Sequence, residues 1–187
     1  MSPYAYLAHH RLQALAVRYG FEVDYRPIDL MRAKIAVGNT GPGNRAIPIK
    51  HKYLRLDLRR WANRYGVPFV PPSGYGSQRL NCGTFFALDL RVAQSYVCAA
   101  WPLVWGDGGD MNDDALLAQV ALSMGWCPEE FLEYVSSDMA IERLRAMNED
   151  ALKKGVFGVP TMCIGSEMWW GNDRLHFLED YLKGIEQ

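Results

Sequence analysis

The residues best placed to do chemistry lie near the two ends of the chain. At the start, Ser2 precedes Pro3, and serine followed by proline is typical of the first residues of an α-helix. The first N–H groups of a helix lack intrahelical partners and carry a partial positive charge, so a hydroxyl beside them favours a bound anion. Ser2 is therefore a candidate site for an anionic group. Taken alone, the local sequence favours the simpler role of a helix cap.

A second candidate segment lies near the C-terminus. Val159 precedes Pro160 at the entrance of a short apolar strand predicted over Thr161–Ile164. An X-Pro bond in such a place is a candidate cis peptide whose backbone faces a ligand. Gly165-Ser166 predicts a tight hairpin turn, because glycine readily adopts positive φ, and a second strand is predicted over Glu167–Trp170. A closing helix follows.

The elements that position these segments are mostly helical. Apolar residues at helical spacing predict a first helix that ends at Gly20, whereas Phe21–Ile28 alternates apolar and polar residues, as a half-buried strand does. A short helix is predicted over Asp29–Val37 and a longer one over Lys50–Tyr65. From Asn81 to Lys154 the pattern is almost wholly helical.

The helix predicted over Lys50–Tyr65 is rich in basic residues, with Asp57 as its single acid. Such a bias could bind phosphate, but a solvated helix face is the more common role, and we predict that role here. The basic residues are Lys50, Lys52, Arg55, Arg59, Arg60 and Arg64.

Composition excludes several classes of protein. At 187 residues, with 49% hydrophobic and 22% charged residues, the chain resembles an ordinary globular protein of one domain, or a small domain with an insertion. A net charge of −1 gives no general attraction to nucleic acid or anionic membranes. No apolar run is long enough to span a bilayer and the first residues do not resemble a secretory signal, so the cytoplasm is the expected location.

The cysteines and histidines do not have the spacing of a metal or redox site. The four cysteines form no Cys-x-x-Cys pair, and the four histidines lack metal-ligand spacing. We expect buried, reduced thiols and no bound metal. The cysteines are Cys82, Cys98, Cys127 and Cys163.

The predicted order of helix, strand, long helical segment, hairpin and helix resembles the thioredoxin fold with an all-helical insertion, as in DsbA-type proteins. The expected fold class is α/β, with a thioredoxin-like domain formed by residues 1–49 and 155–187 and an insertion domain formed by residues 50–154. In that fold a strand precedes the first helix, whereas this sequence begins at the helix. We expect an in-frame upstream extension that supplies the strand, because its neighbours would otherwise have unpaired backbone groups.

Longer motifs along the whole chain resemble the kappa-class glutathione transferase family, and most closely its bacterial branch, the 2-hydroxychromene-2-carboxylate isomerases. The block from Lys34 to Arg45 and the run from Val156 to Leu175, in register, are the most specific parts of the likeness. Shorter matching segments are Ser2–Ala8, Ile28–Asn39, Gly41–Arg45 and Trp61–Gly66.

This resemblance implies an isomerase that converts 2-hydroxychromene-2-carboxylate into trans-o-hydroxybenzylidenepyruvate in bacterial naphthalene breakdown, with glutathione as cofactor and a homodimer as the assembly. It also implies that Ser2 orients the sulfur of glutathione, whose thiolate form is favoured by the hydroxyl and by the helix dipole. Thiolate addition to a conjugated double bond, rotation about the resulting single bond and elimination would give the product.

For the rest of glutathione, the resemblance implies two contacts. Val159 would pair its backbone with the cysteinyl part, and the segment Trp170-Gly171-Asn172-Asp173 would hold the γ-glutamyl end. The carboxylate of that end can accept N–H groups at a helix N-terminus, while Asp173 pairs with the ammonium group. The simpler roles of a structural cis-proline and a helix cap stay open for these residues.

The organic substrate, a small aromatic 2-oxo or 2-hydroxy carboxylate, is implied to contact Lys34, Asn44, Arg45 and Tyr75. An arginine can bind a carboxylate with two hydrogen bonds, and a lysine can stabilise developing charge on an oxygen. Asn44 and Arg45 lie in a loop rich in glycine and proline, which is a common position for binding residues. Without the resemblance, these side chains would be ordinary surface residues.

This assignment has three alternatives. A disulfide oxidoreductase of this fold needs two cysteines where Ser2-Pro3-Tyr4 stands, so we exclude it. A glutathione transferase that acts on electrophiles would keep the glutathione residues but would not need Lys34, Asn44 and Arg45. A glutathione-binding chain without catalytic activity is the third alternative.

Overall fold

The computed structural model describes residues 1–185, so the last two residues of the predicted C-terminal segment lie outside the described residues. The helical elements and the hairpin follow the predicted order. In chain order they are α1 (Pro3–Tyr19), α2 (Leu30–Ala36), α3 (Pro48–Tyr65), α4 (Gln78–Asp89), α5 (Ala93–Trp101), α6 (Asp114–Ser123), α7 (Pro128–Ser136), α8 (Asp138–Lys153), β1 (Thr161–Ile164), β2 (Glu167–Trp170) and α9 (Leu175–Ile185).

Helix α1 joins the two halves of the hydrophobic core. Its buried Tyr6 and Leu7 belong to a large cluster of side chains from the helical part of the chain. The next residue, Ala8, and Leu15 about two turns later belong to a smaller cluster with β1 and α9. Because α1 contacts both α3 and α9, the N-terminus of α1 lies where the two groups of elements meet. No helix among residues 1–185 is both long enough and apolar enough to cross a membrane.

The local signals at the ends of α1 are confirmed. Ser2 occupies the cap position with extended backbone, Pro3 is the first helical residue, and Gly20 ends α1 with a φ of 67°. At α2, the Asp29 side chain accepts hydrogen bonds from the N–H groups of Met31 and Arg32. The sequence analysis placed Asp29 inside this helix, one residue before the observed start, and did not predict its capping contacts.

The hairpin also has the predicted strands and turn. Strands β1 and β2 are antiparallel, with Thr161 opposite Trp170 and Ile164 opposite Glu167. Gly165 in the turn has a φ of 58°, which a residue with a side chain rarely adopts. After β2 comes a 3-10 turn over Asn172–Arg174, so the closing helix begins at Leu175, slightly later than predicted.

The strand predicted over Phe21–Ile28 is wrong. The side chains there alternate between more and less buried, as the sequence pattern requires, but the segment forms no ladder with another strand. The backbone of the segment is hydrogen-bonded at its ends, where the Phe21 N–H donates to the Ala16 carbonyl and the Ile28 carbonyl accepts from Asn81. A β-strand is defined by the backbone hydrogen bonds that it makes with a neighbouring strand. Among residues 1–185 the sheet consists of β1 and β2 alone, and neither pairs with this segment.

The expectation of buried thiols is correct for Cys82 and wrong for the other cysteines. All four are free, but Cys98, Cys127 and Cys163 are exposed. Cys163 follows the buried Met162 on β1 and therefore points to the opposite face of the strand. The basic residues of α3 are exposed, as predicted for a solvated face.

Candidate glutathione and substrate clefts

The predicted glutathione residues, with the exception of Ser2, line one cleft of about 460 Å³. The cleft lies between the start of α1, the face of α3 and the segments on either side of the hairpin. Residues distant in sequence therefore meet as the resemblance implies. The lining residues are Tyr4, Tyr53, Asp57, Trp61, Val159, Pro160, Trp170, Gly171, Asn172, Asp173 and Arg174.

Val159 offers unpaired backbone groups to this cleft. The Val159–Pro160 peptide bond is cis, as predicted. The Pro160 carbonyl accepts a hydrogen bond of 2.9 Å from the Gly171 N–H, which ties the strand entrance to the end of the hairpin. Neither the N–H nor the carbonyl of Val159 has a hydrogen-bond partner within residues 1–185. A peptide-like ligand in the cleft could satisfy both groups.

Asn172 is the most informative polar residue of the cleft. Only 3% of its surface is exposed, and both its Oδ1 and its Nδ2 lack a hydrogen-bond partner within residues 1–185. Burial raises the pKa of Tyr65, and the nearby Asn172 side chain offsets part of that rise. The Tyr65 hydroxyl and the Asn172 amide nevertheless do not form a hydrogen bond of acceptable geometry. Buried polar atoms are nearly always paired in folded proteins. The unpaired amide therefore fits a site that a polar ligand completes.

The remaining residues of this segment line the cleft more openly. Trp170 is 52% exposed and packs edge-on against Phe157. It also lies so close to Gly158 that a Cβ atom there would be 2.6 Å from the Trp170 Nε1, so a larger residue at position 158 would have to displace the Trp170 ring. The Asp173 carboxylate accepts a hydrogen bond from Arg174, an ion pair at the protein surface.

Ser2 stands beside the cleft and does not line it. Its backbone carbonyl accepts the N–H groups of Ala5 and Tyr6, whereas its hydroxyl makes no capping bond. Ser2 is 7% exposed; Pro3, next to it, lines a second cavity, and Tyr4 lines this cleft. The hydroxyl at the start of α1 is therefore close to residues of two cavities and makes no local capping bond.

The sequence analysis missed a buried hydrogen bond within the cleft. The Tyr4 hydroxyl donates to Asp57 Oδ2 at 2.6 Å, joining the first turn of α1 to the middle of α3. Burial, and then the bond to Asp57, raise the pKa of Tyr4, so the phenol stays protonated and remains a donor. A signal did exist, because Asp57 is the single acid in a strongly basic helix.

The predicted substrate residues fall into two groups. Arg45 and Tyr75 line a cavity of about 210 Å³, and the Arg45 guanidinium lies over the Tyr75 ring, 3.9 Å from its centroid. Asn44 lines a neighbouring cavity of about 540 Å³, which shares Tyr4 and Tyr53 with the glutathione cleft. Lys34 lies in α2 and lines none of these three cavities. The structure thus brings Asn44 next to the cleft. It places Arg45 and Tyr75 in a separate cavity, which shares Leu54 with the cavity of Asn44, and it leaves Lys34 outside all three.

Comparisons with known proteins agree with this geometry. Residues 1–183 match the family described as the DSBA-like thioredoxin domain. A 2-hydroxychromene-2-carboxylate isomerase from Pseudomonas sp. (strain C18) is 46% identical over 184 residues, which cover 98% of this chain and 87% of the relative.

Two further relatives define the position of the chain within this family. A solved structure of a 2-hydroxychromene-2-carboxylate isomerase superposes with a TM-score of 0.94 at 44% identity, covering 98% of this chain and 91% of that one. Glutathione S-transferase kappa 1 from Rattus norvegicus is more distant, at 23% identity over 98% of this chain and 87% of the relative. These findings confirm the predicted fold class, and the chain belongs to the DSBA-like thioredoxin domain family, in the branch formed by the 2-hydroxychromene-2-carboxylate isomerases.

Proposed function

We propose that this protein is an isomerase that converts 2-hydroxychromene-2-carboxylate into trans-o-hydroxybenzylidenepyruvate, with glutathione as cofactor. The observation that carries the proposal is the identity of 46% to an isomerase of that name over nearly the whole chain. The glutathione cleft and the cavity beside Arg45 support it, because a reaction of a small acid with a tripeptide thiol needs two sites. The cavity that contains Asn44 lies between them, since it shares Tyr4 and Tyr53 with the cleft and Leu54 with the cavity beside Arg45.

The cleft residues fit glutathione on chemical grounds. Val159 has an unpaired N–H and an unpaired carbonyl, which match the amide groups of a peptide. The orphaned amide of Asn172 can bind a carboxylate or an ammonium group, and Asp173 adds the negative charge that an ammonium group requires. Trp170 and Gly171 complete this wall. When bound, glutathione supplies a thiolate that adds reversibly to a conjugated double bond.

The protein's own residues supply charge and orientation. Ser2 lies at the positive end of α1, and its hydroxyl makes no capping bond. It would donate a hydrogen bond that favours an anion between the cavities. Arg45 would bind the substrate carboxylate, and Asn44 would donate its amide N–H to a substrate oxygen. Lys34, which lies in α2, would stabilise developing negative charge on a substrate oxygen.

Several wider features belong to the same proposal. The pathway would be the breakdown of naphthalene or a related aromatic hydrocarbon, the location the cytoplasm and the assembly a homodimer. We also propose that residues 1–49 and 155–187 form the thioredoxin-like domain around residues 50–154. The two clusters of buried side chains support that division, although α1 contributes to both of them.

A kappa-like glutathione transferase is the second candidate, because relatives of that name match nearly the whole chain at 23–24% identity. The two functions are separated by substrate. With purified protein, we expect interconversion of 2-hydroxychromene-2-carboxylate and trans-o-hydroxybenzylidenepyruvate to accelerate only when reduced glutathione is added. Conjugation of 1-chloro-2,4-dinitrobenzene without any isomerisation would favour the transferase, and isomerisation that is equally fast without glutathione would remove the cofactor from the proposal.

A further inference from the structure

The cavity beside Arg45 and Tyr75 contains further donors, His51, Arg55 and Trp105, that the sequence analysis did not assign to a ligand. Its wall combines apolar residues with three basic side chains, Arg45, His51 and Arg55, and includes no carboxylate. Neither Arg45 nor Arg55 forms an ion pair within residues 1–185. A cavity with unpaired guanidinium groups and no acid favours an anionic ligand, since nothing in its wall neutralises them.

Trp105 lines the same cavity and has a buried donor without an acceptor. Its side chain is 1% exposed, and its Nε1–H has no hydrogen-bond partner within residues 1–185. A buried tryptophan N–H usually finds a partner. The neighbouring Phe69 ring, which also lines the cavity, is stacked on the Trp105 ring with centroids 6.2 Å apart and planes 10° apart, but it offers no acceptor atom.

The backbone around Trp105 is unusual as well. Residues Pro102–Gly106 form a short π-helical turn between α5 and the following loop, closed by the Asp107 N–H that donates to the Pro102 carbonyl at 2.9 Å. The Trp105 carbonyl accepts the Val70 N–H at 2.7 Å, which fixes the residue in place. π-Helical turns are rare in proteins, and those that occur are often found at functional sites.

We propose that Trp105 is a substrate-binding residue, and that its indole N–H and the Arg55 guanidinium, together with Arg45, bind the carboxylate of the aromatic acid. The identification of that acid rests on the proposed function, but the chemistry of the subsite does not. One ligand oxygen would satisfy the unpaired N–H of Trp105 while the guanidinium groups balance the charge. The stacked rings of Phe69 and Trp105 form an apolar wall suited to the aromatic part of the ligand.

The first experiment uses trans-cinnamate as the probe and follows it by titration calorimetry and by the indole N–H resonances in 15N spectra. We expect the Trp105 resonance, assigned by its loss in Trp105→Phe, to shift on titration. We also expect Trp105→Phe to weaken trans-cinnamate binding about tenfold, as loss of a hydrogen bond to a charged group does. Trp101→Phe is the matched control, since Trp101 packs against His9 and does not line the cavity, and should leave binding unchanged.

A second pair of variants keeps the test valid if Trp105→Phe fails to fold. Arg55→Gln should weaken trans-cinnamate binding by about tenfold, whereas Arg59→Gln, on the same helix and outside the cavity, should not. Cinnamamide, which has the same shape and no charge, should bind wild-type protein and Arg55→Gln equally. A Trp105 resonance that does not move, or equal effects of Arg55→Gln and Arg59→Gln, overturns the subsite.

These outcomes are independent of the proposed reaction. Binding of trans-cinnamate at Trp105 in a protein that shows no isomerisation would reject the proposed function and leave the subsite intact. Conversely, glutathione-dependent isomerisation with the same KM for the aromatic acid in Trp105→Phe and in wild-type protein would support the reaction and refute the role of Trp105.

Discussion

Replacing Asn172 with leucine should stabilise the protein and weaken glutathione binding at the same time. Within residues 1–185, both polar atoms of this buried side chain lack hydrogen-bond partners. An unpaired buried polar group costs about 1–3 kcal/mol, and an apolar side chain of similar shape removes that cost. We therefore expect Asn172→Leu to raise the free energy of unfolding by about 2 kcal/mol. In a chain of this size each kcal/mol corresponds to about 2–4 °C in Tm, so Tm should rise by about 4–8 °C.

The same substitution removes the hydrogen bonds that glutathione would make with the Asn172 amide. With two such bonds worth about 1 kcal/mol each, the Kd for glutathione should increase about 30-fold. Thermal unfolding with and without glutathione, together with calorimetric titration, measures both effects. Asn148→Leu is the matched control, because Asn148 is also buried, at 4% exposure, but its Oδ1 accepts the Asp29 N–H at 2.8 Å. That variant should lose stability and keep its affinity for glutathione.

The opposite signs make the result decisive. If Asn172→Leu lowers Tm as Asn148→Leu does, then the Asn172 amide has a partner in the folded protein, and the argument from unpaired atoms is wrong. If Asn172→Leu raises Tm and leaves the glutathione Kd unchanged, Asn172 lies outside the cofactor's contacts, and the cleft has been assigned to the wrong ligand.

Three further predictions concern Ser2, Arg45 and the buried His9. Ser2→Ala should lower turnover about tenfold and raise the pKa of the bound thiol, seen as lower thiolate absorbance, with little change in glutathione Kd; normal turnover would reject its role. Arg45→Ala should raise the KM for the aromatic acid at least tenfold and leave the KM for glutathione unchanged; equal effects on both would contradict the substrate assignment. Burial lowers the pKa of His9 from 6.5 to about 4, so the unfolded chain binds a proton at His9 more tightly than the folded protein does. The contribution of His9 to stability is therefore fully present above pH 6.5 and declines toward pH 4. Urea unfolding should therefore show about 3 kcal/mol less stability at pH 4 than at pH 7 from this group, and a His9→Gln variant with the same slope would refute that origin.

Some residues of the candidate site were predicted from the sequence, and others were missed. The likeness of whole motifs identified Val159 and the Trp170–Asp173 segment, and these residues do line one cleft. It did not identify Trp105, which no local pattern marks, and it did not connect Asp57, the single acid of a basic helix, with the cleft. Asp57 meets Tyr4 across 53 residues of sequence, and the role of Trp105 depends on what its buried N–H lacks.

The fold divides in the same way. The start of α1 at Ser2-Pro3, its end at Gly20 and the Gly165 turn were determined by the sequence alone, since each depends on the conformation of a few neighbouring residues. The state of Phe21–Ile28 was not, because alternation fixes which side chains are buried but a strand also needs a neighbour to pair with.

Tertiary structure also decided the chemistry. Only the packing of α1 against α3 brings the Tyr4 hydroxyl to Asp57, and only the fold brings Arg45 over the Tyr75 ring. The sequence determines which donors, acceptors and charges the chain has. Which of them are buried, paired or left open to a ligand depends on contacts between distant residues, and those contacts exist only in the folded protein.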